Sequence, residues 1–329
     1  METVQTLQVR DALVERRQRL VQALSTLRGV GRLNELLTEV DAALARFDAG
    51  AFGLCETCHE AIEADRLAAD PLVRFCLDHL TPGEQRALQQ DLDLTWRIQS
   101  SLLPRPELRT DGWEASFHYE PAGPASGDCC DLLPLENGEL FFLLGDVMGK
   151  GLSASMLMAH LQAIFRSLAT VPVPLAEFAE RANRVFAQST GGIRYATLVF
   201  GRLRGSGEVG LVNAGHCPPI LLRAGRASTI APTGLPLGLF TGAPYAASSL
   251  KLTPGDSLLL YTDGVTESRN PSGEEYGPER LELAALAHER RPGREILDAC
   301  LADLKTFQRD PRREDDQTIL ILKRVVAGQ

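Results

Sequence analysis

Residues 139–151 read ELFFLLGDVMGKG: five apolar residues in succession, then Gly145-Asp146, then a turn carrying Gly149 and Gly151. An apolar run this short, closed by glycines, predicts a strand buried on both faces. Asp146 then stands where the chain leaves the sheet. The pattern recurs along the chain. SLLLYTDG (257–264) delivers Asp263, SGDCCD (126–131) opens an apolar run with Asp128, and EDDQTILILKRV (314–325) opens another with Asp315 and Asp316. Carboxylates at strand ends converge, and they repel one another unless they take up protons or cations. An all-oxygen set of this kind suits Mg²⁺ or Mn²⁺.

From about Trp113 onward, more strand-like runs broken by Gly and Pro appear: ASFHYEP, YATLVFGRL, GEVGLVNAG, PPILLRAG and SSLKLTPG. Apolar residues at helical spacing predict helices over 151–168, 175–188, 278–290 and 295–307. Many short strands with a few helices and no strict alternation predict an α+β fold. The expected architecture over 105–329 is a two-sheet β-sandwich flanked by helices.

At 329 residues the chain exceeds what one core usually fills. Leu13, Leu20, Leu24 and Leu27 recur at helical spacing, Gly29 and Gly31 interrupt, and Leu33, Leu36, Leu37, Val40, Leu44 and Phe47 resume the period. Two helices over 1–48 follow, folded into a hairpin or paired with a second chain. Segment 49–81 holds Cys55-x2-Cys58 and Cys76-x2-His79, two knuckles that together suit one tetrahedral Zn²⁺. A segment so small would draw its folding energy from the metal. His59, beside Cys58, reads as a turn residue. Pro82 opens a linker helix over 82–104, with Leu88, Leu92, Thr95, Ile98 and Leu102 on one face, and Pro104 ends it.

The net charge of −9 argues against a general nucleic-acid binder. No apolar run reaches the length of a membrane span, and residues 1–30 are too charged for a signal peptide, so a cytoplasmic protein without membrane attachment is expected. Seven cysteines, odd in number and unevenly spread, fit a reducing compartment with a metal site better than a disulfide framework. The vicinal pair Cys129-Cys130 admits two readings: an oxidation-sensitive thiol pair beside Asp128, or two small buried hydrophobes. Lys150 is a candidate point charge for an incoming phosphate, with a solvated turn residue as the alternative. His216 is either a proton donor or a hydrogen-bonded turn residue.

Segment 40–80, with its F-D-A-G-x-F-G approach, C-E-x-C and the D-R-L that follows, resembles the zinc finger of the DksA/TraR family. Members of that family bind RNA polymerase through an acidic tip on a long coiled coil. Here the tip, LRGVGRLNE (27–35), is basic and glycine-rich and the helices are short, so the resemblance carries the zinc fold and not the polymerase partner. The run QDLDLTWRIQSSLLP (90–104) resembles the signalling linker ahead of SpoIIE-type phosphatase domains. The ordered set SGDCCD, GDVMGKG, NAGHCPP, GLPLG, YTDGVTE and DDQT resembles the protein phosphatase 2C (PPM) superfamily, and within it the SpoIIE-like branch.

That resemblance implies two Mn²⁺ or Mg²⁺ per catalytic domain, beside the one Zn²⁺ in the finger. Asp146 would bridge the pair, the Val147 carbonyl would add a ligand, and Asp128, Asp263 and Asp315 would complete the set. Asp316 would support Asp315. Asp131 is a further candidate, for an outer-shell water or a third ion, or else a strand-start cap. The implied activity is hydrolysis of phosphoserine or phosphothreonine on a regulatory protein such as an anti-sigma-factor antagonist, by direct attack of water. The HCx5R-type loop of a cysteine phosphatase is absent. The N-terminal zinc module would regulate the enzyme or dock a partner, and the N-terminal and linker helices would offer a homodimer interface. The competing reading is a zinc-finger transcription regulator that binds RNA polymerase and carries a phosphatase-like scaffold. All four acids, Asp128, Asp146, Asp263 and Asp315, are present, which a dead scaffold would not require.

Overall fold

The computed structural model describes residues 4–26, 31–80, 82–191, 194–309 and 315–326. It divides into two compact units, Met1–Gln90 and Asp91–Gln329. In the first unit, α1 (Val4–Thr26) and α2 (Gly31–Asp48) form a hairpin within one chain. Arg10 pairs with Asp48 at 3.1 Å and Arg17 with Asp41 at 2.5 Å, so the partners run in opposite directions along the two helices. Leu13, Leu20, Val40, Ala43 and Phe47 are buried along the seam. Of the expected tip, residues 27–30 lie outside the described residues. Short α3 (Ala64–Ala69) belongs to the zinc segment, and α4 (Pro82–Leu102) begins in the first unit and ends in the second.

The α4 stripe differs from the expected one at a single position. Gln99 is buried to 3% exposure, whereas Ile98 is 55% exposed and shares the open face with Leu94. The cause is a polar site, described below, that accepts an amide and has no use for an isoleucine.

The second unit holds β1 (Glu107–Thr110), β2 (Trp113–Glu120), β3 (Asp128–Pro134), β4 (Leu140–Val147), α5 (Gly151–Ala169), α6 (Leu175–Thr190), β5 (Ala196–Leu203), β6 (Glu208–Ala214), β7 (Ile220–Arg223) and β8 (Arg226–Thr229). β9 (Ser248–Lys251), β10 (Ser257–Tyr261), α7 (Asp263–Thr266), α8 (Pro278–Leu286), α9 (Gly293–Gln308) and β11 (Gln317–Arg324) complete it. One sheet runs β1-β2-β11-β10-β7-β8 and the other β3-β4-β5-β6-β9, with antiparallel pairing throughout.

Residue parity sorts the side chains into layers, because neighbours on a strand face opposite ways. On β4, Phe141 and Leu143 enter a core shared with α5 and α6, while Leu140, Phe142 and Leu144 enter the core between the sheets. On β11, Leu320 and Leu322 meet that central core, and Ile319 and Ile321 face α8 and α9. Helices thus cover both outer faces, so the strands carry apolar residues on both sides. Each apolar layer contains one buried cysteine: Cys129 under α5 and α6, Cys130 between the sheets, and Cys300 under α9.

Phe178 sits among three other rings, with centroids 4.8 Å from Phe200, 5.2 Å from Phe165 and 5.7 Å from Phe141. Phe178→Ala is expected to lower unfolding free energy by about 3–5 kcal/mol, the usual range for emptying a phenyl-sized core site. Urea denaturation measures it, and a loss under about 1 kcal/mol would mean that this layer is not close-packed.

Candidate metal centres

Parity also places the acids. Asp128 and Asp146 face each other across the β3–β4 pair, on the inter-sheet side, at the end of the sandwich where β4 leaves the sheet. From the other sheet, Thr262 follows β10 and Thr318 lies on β11. Both donate their hydroxyls to Asp128 Oδ2, the Thr262 bond at 2.9 Å. Asp263 follows Thr262 directly and opens α7. Gly264 lets this turn reach the segment ahead of β11, since a Cβ there would fall 2.0 Å from the Asp316 carbonyl. Thr262 and Thr318 are site residues that the sequence reading passed over, although each sits beside an acidic motif with the parity of the inter-sheet face.

The electrostatics are those of acids buried and crowded together, with Lys150 at their margin. Burial, then the Asp146 and Asp316 carboxylates, pushes Asp128 far above the ordinary carboxylate range, against the pull of its two threonine hydrogen bonds. Burial followed by repulsion from Asp263, Asp315 and Asp316 lifts Asp146 to about 7. Asp263 rises for the same reasons, burial first and Asp315 next.

Asp315 and Asp316, adjacent in the chain, have different surroundings. The Asp316 carboxylate accepts the backbone N–H groups of Ala122 and Gly127, at 2.8 and 3.1 Å, and so anchors the β2–β3 loop. Asp315 stays half-exposed, with Lys150 Nζ 2.9 Å away. Lys150, a candidate phosphate contact, therefore has an acidic partner in this state. A polar cavity of about 270 Å³ beside the cluster is lined by Lys150, Gly264, Glu267, Ser268, Arg269 and Asp315 among others.

Asp131 is not brought to the cluster. Its odd parity turns it to the opposite face of β3, where it is 1% exposed and pairs with Arg166 at 2.7 Å and Gln162 at 3.1 Å on α5. The strand-start cap has a local counterpart: the Leu132 N–H donates to Asp131 Oδ1 at 3.0 Å. Cys129 and Cys130 are fully enclosed, and burial raises both thiols far above their ordinary range. They face different cores, so the hydrophobe reading describes them. His216 shares a 2.9 Å hydrogen bond with Thr197, and Asn213 clasps its backbone on both sides. Burial lowers its pKa to about 4, which favours the neutral ring near pH 7 over the imidazolium an acid catalyst would need.

Among the described residues, the His/Cys/Asp/Glu group drawn close enough to hold a metal ion is the cysteine–histidine set described below. The acids are more widely spaced, yet they offer the oxygen donors that hard divalent cations take. Around the point that a Gly127 Cβ would occupy lie the Val147 carbonyl at 2.8 Å, Asp146 Oδ1 at 3.0 Å and the Gly149 carbonyl at 3.4 Å. The three nearest heavy atoms to that point are thus all oxygens, a cradle beside carboxylates whose ionisation burial opposes.

The second centre lies in the first unit. The ligand atoms of Cys55, Cys58, Cys76 and His79 all fall within 4.8 Å of one another. Cys76 Sγ is 3.2 Å from His79 Nδ1 and 3.9 Å from Cys58 Sγ. Burial opposes ionisation of Cys55, yet the backbone amides of Cys58, Cys76 and Thr57 bring its thiol down to about 6. His59 stays outside the group: its φ is 60°, and its N–H donates to the Cys55 carbonyl at 2.9 Å.

Two antiparallel sheets between helical layers, with acids meeting at one end, define a PP2C-type domain. The SiaA-PP2C domain of Pseudomonas aeruginosa shares the fold with a TM-score of 0.64 at 18% identity, covering 73% of this chain and 98% of that one. Residues 136–325 match the sequence profile of stage II sporulation protein E (SpoIIE), and the chain belongs to that family. Protein IcfG of Synechocystis sp. is 28% identical over 265 residues, which is 71% of this chain and 41% of IcfG. Phosphoserine phosphatase RsbP of Bacillus subtilis is 25% identical over 241 residues, 71% of this chain and 58% of RsbP. The chain thus spans about half the length of these two relatives. Residues 50–78 match the prokaryotic dksA/traR C4-type zinc finger, so a finger of that type is present. His79, one residue beyond the match, offers the fourth candidate ligand atom. Among the described residues, no helix is long and apolar enough to cross a membrane.

A carboxylate whose folded pKa is raised destabilises the fold as pH climbs from its unfolded value to its folded one. Asp146→Asn is therefore expected to raise the stability of magnesium- and manganese-free protein at about pH 8, with little effect at pH 4 or below. The gain is at most about 4 kcal/mol by linkage, and thermal melts across the range read it. A gain of equal size at both ends would contradict the crowding described above. Elemental analysis of the full chain is expected to find about one zinc per molecule by the tetrahedral-site rule, and Cys55→Ser less.

Proposed function

We propose that the chain is a metal-dependent phosphoserine/phosphothreonine protein phosphatase. The observation that carries this reading is the convergence of Asp128, Asp146, Asp263 and Asp315 at one end of the sandwich, with Asp146 held near about 7 by burial and its acidic neighbours. Asp146, Asp263 and Asp315, with the Val147 carbonyl and Asp128, would hold two Mn²⁺ or Mg²⁺ ions. Bound there, the cations would supply the positive charge that attracts phosphate and acidifies water.

The chain's own residues do the rest. Thr262 and Thr318 fix the orientation of Asp128. Asp316 holds the β2–β3 loop against the site. Lys150, 61% exposed, stands at the mouth of the polar cavity, where an incoming phosphate would compete with Asp315 for its amine. Cys129 and Cys130, buried with thiols raised far above their ordinary range, would take no nucleophilic part, and water would be the attacking group.

RsbP, a phosphoserine phosphatase by name, supports a phosphorylated regulatory protein as the substrate, an anti-sigma-factor antagonist being the leading candidate. The zinc module would serve as a docking or regulatory element rather than a polymerase-binding one. Leu94 and Ile98, each 55% exposed on the open face of α4, support pairing with a second copy through the linker helix.

Hydrolysis of an aryl phosphate and of a phosphoserine peptide, each with Mn²⁺, tests the reading. Wild type is expected to turn over both, and Asp146→Ala and Asp263→Ala to lose nearly all activity. A wild-type protein inert toward both substrates, or either variant fully active, would refute it.

A further inference from the structure

We infer that Gln99, on the linker helix, is a positioning residue that sets the affinity of the acidic site for its divalent cations; this rests on the metal reading given above. Gln99 is 3% exposed, in the last turns of α4. Its side-chain amide pairs with both backbone polar groups of one residue. Nε2 donates to the Ser126 carbonyl at 2.6 Å, and Oε1 accepts the Ser126 N–H at 3.2 Å. The geometry imitates a strand pairing, supplied by a side chain to a loop that has no strand beside it there.

What that loop carries gives the contact its meaning. Ser126 Oγ accepts the Asp128 N–H at 3.0 Å, fixing the start of β3. Gly127 comes next, where an added Cβ would fall 3.0 Å from Asp146 Oδ1 and 2.8 Å from the Val147 carbonyl, and its own carbonyl takes the Val147 N–H at 3.3 Å. Asp316 secures the same loop from β11, through Ala122 and Gly127. The oxygen cradle is therefore held from two sides, by β11 and by α4. The α4 end is itself fastened, because Gln162 and Arg166 donate to the Leu102 carbonyl at 2.8 and 3.0 Å. Arg166 is in turn aimed by the buried Asp131. This gives Asp131, which the cluster does not use, a place in the same framework.

An amide of this length offers a donor and an acceptor together without depending on its protonation state. Gln99→Met keeps the reach and the apolar stem but removes both hydrogen bonds. Gln99→Glu keeps an acceptor for the Ser126 N–H and sets a second oxygen against the Ser126 carbonyl. Groups that hold ligands in place typically govern metal affinity by about 10–100-fold, and a loss in that range is expected for Gln99→Met.

The test is calorimetric titration of Mn²⁺ into full-length wild type, Gln99→Met, Gln99→Glu and Asp146→Ala, with aryl phosphate turnover measured across the same metal range. Weakened Mn²⁺ binding by Gln99→Met, with turnover restored at saturating metal, supports the role. If Gln99→Met does not fold, the same result with Gln99→Glu decides. Wild-type affinity in a folded Gln99 variant overturns the role, as does turnover lost at every metal concentration with affinity unchanged. If wild type binds no Mn²⁺ that Asp146→Ala removes, the metal reading itself fails and this role with it.

Discussion

The whole arrangement depends on one buried carboxylate. Asp128 belongs to one sheet, and the two hydroxyls that hold it, from Thr262 and Thr318, belong to the other. Enclosing an acid between apolar layers is costly unless donors satisfy it. Here the donors also fasten the two sheets together at the end where the acidic loops emerge. The site is therefore a continuation of the sandwich, set by the same alternation of side chains that builds the core. Asp146 and Asp128 share a face because their strands are in register, and Asp131 is excluded by a single step of parity.

The other acids are held against ionisation by burial and by one another. Lys150 meets Asp315 at the exposed margin, where such pairs contribute little. Asp146 and Asp263 both resist ionisation, Asp263 despite the backbone N–H groups beside it and the pull of Lys150. The fold accepts local instability at this point in exchange for appetite toward cations, a compromise common where binding sites interrupt an otherwise consistent structure. Gly264 makes the crowding possible, because any side chain there would strike the Asp316 carbonyl.

Much of this was legible in the chain. Short apolar runs bounded by aspartates indicated the sandwich and placed four acids at its strand ends. The paired knuckles pointed to the Cys55, Cys58, Cys76 and His79 group that the fold brings together. Other features required coordinates. Asp131 reads like its neighbour Asp128 until strand parity separates them. Ile98 fits the helical stripe as well as any residue does, and only the backbone of Ser126 explains why Gln99 lies inside instead. Whether the N-terminal helices close on each other was undecided by their spacing, and the ion pairs of Arg10 and Arg17 show that they do. Thr262 and Thr318 were hidden because threonine is ordinary in strands, and their task appears only when two sheets face each other.

The distribution of cysteine has a practical consequence. Cys129, Cys130 and Cys300 occupy three separate apolar layers, and every one is a free thiol with no solvent access. A thiol-specific reagent reaches each only when its own layer opens. The native protein thus carries three independent clocks, and their labelling rates would report whether the helical covers lift separately or the sandwich parts as a unit.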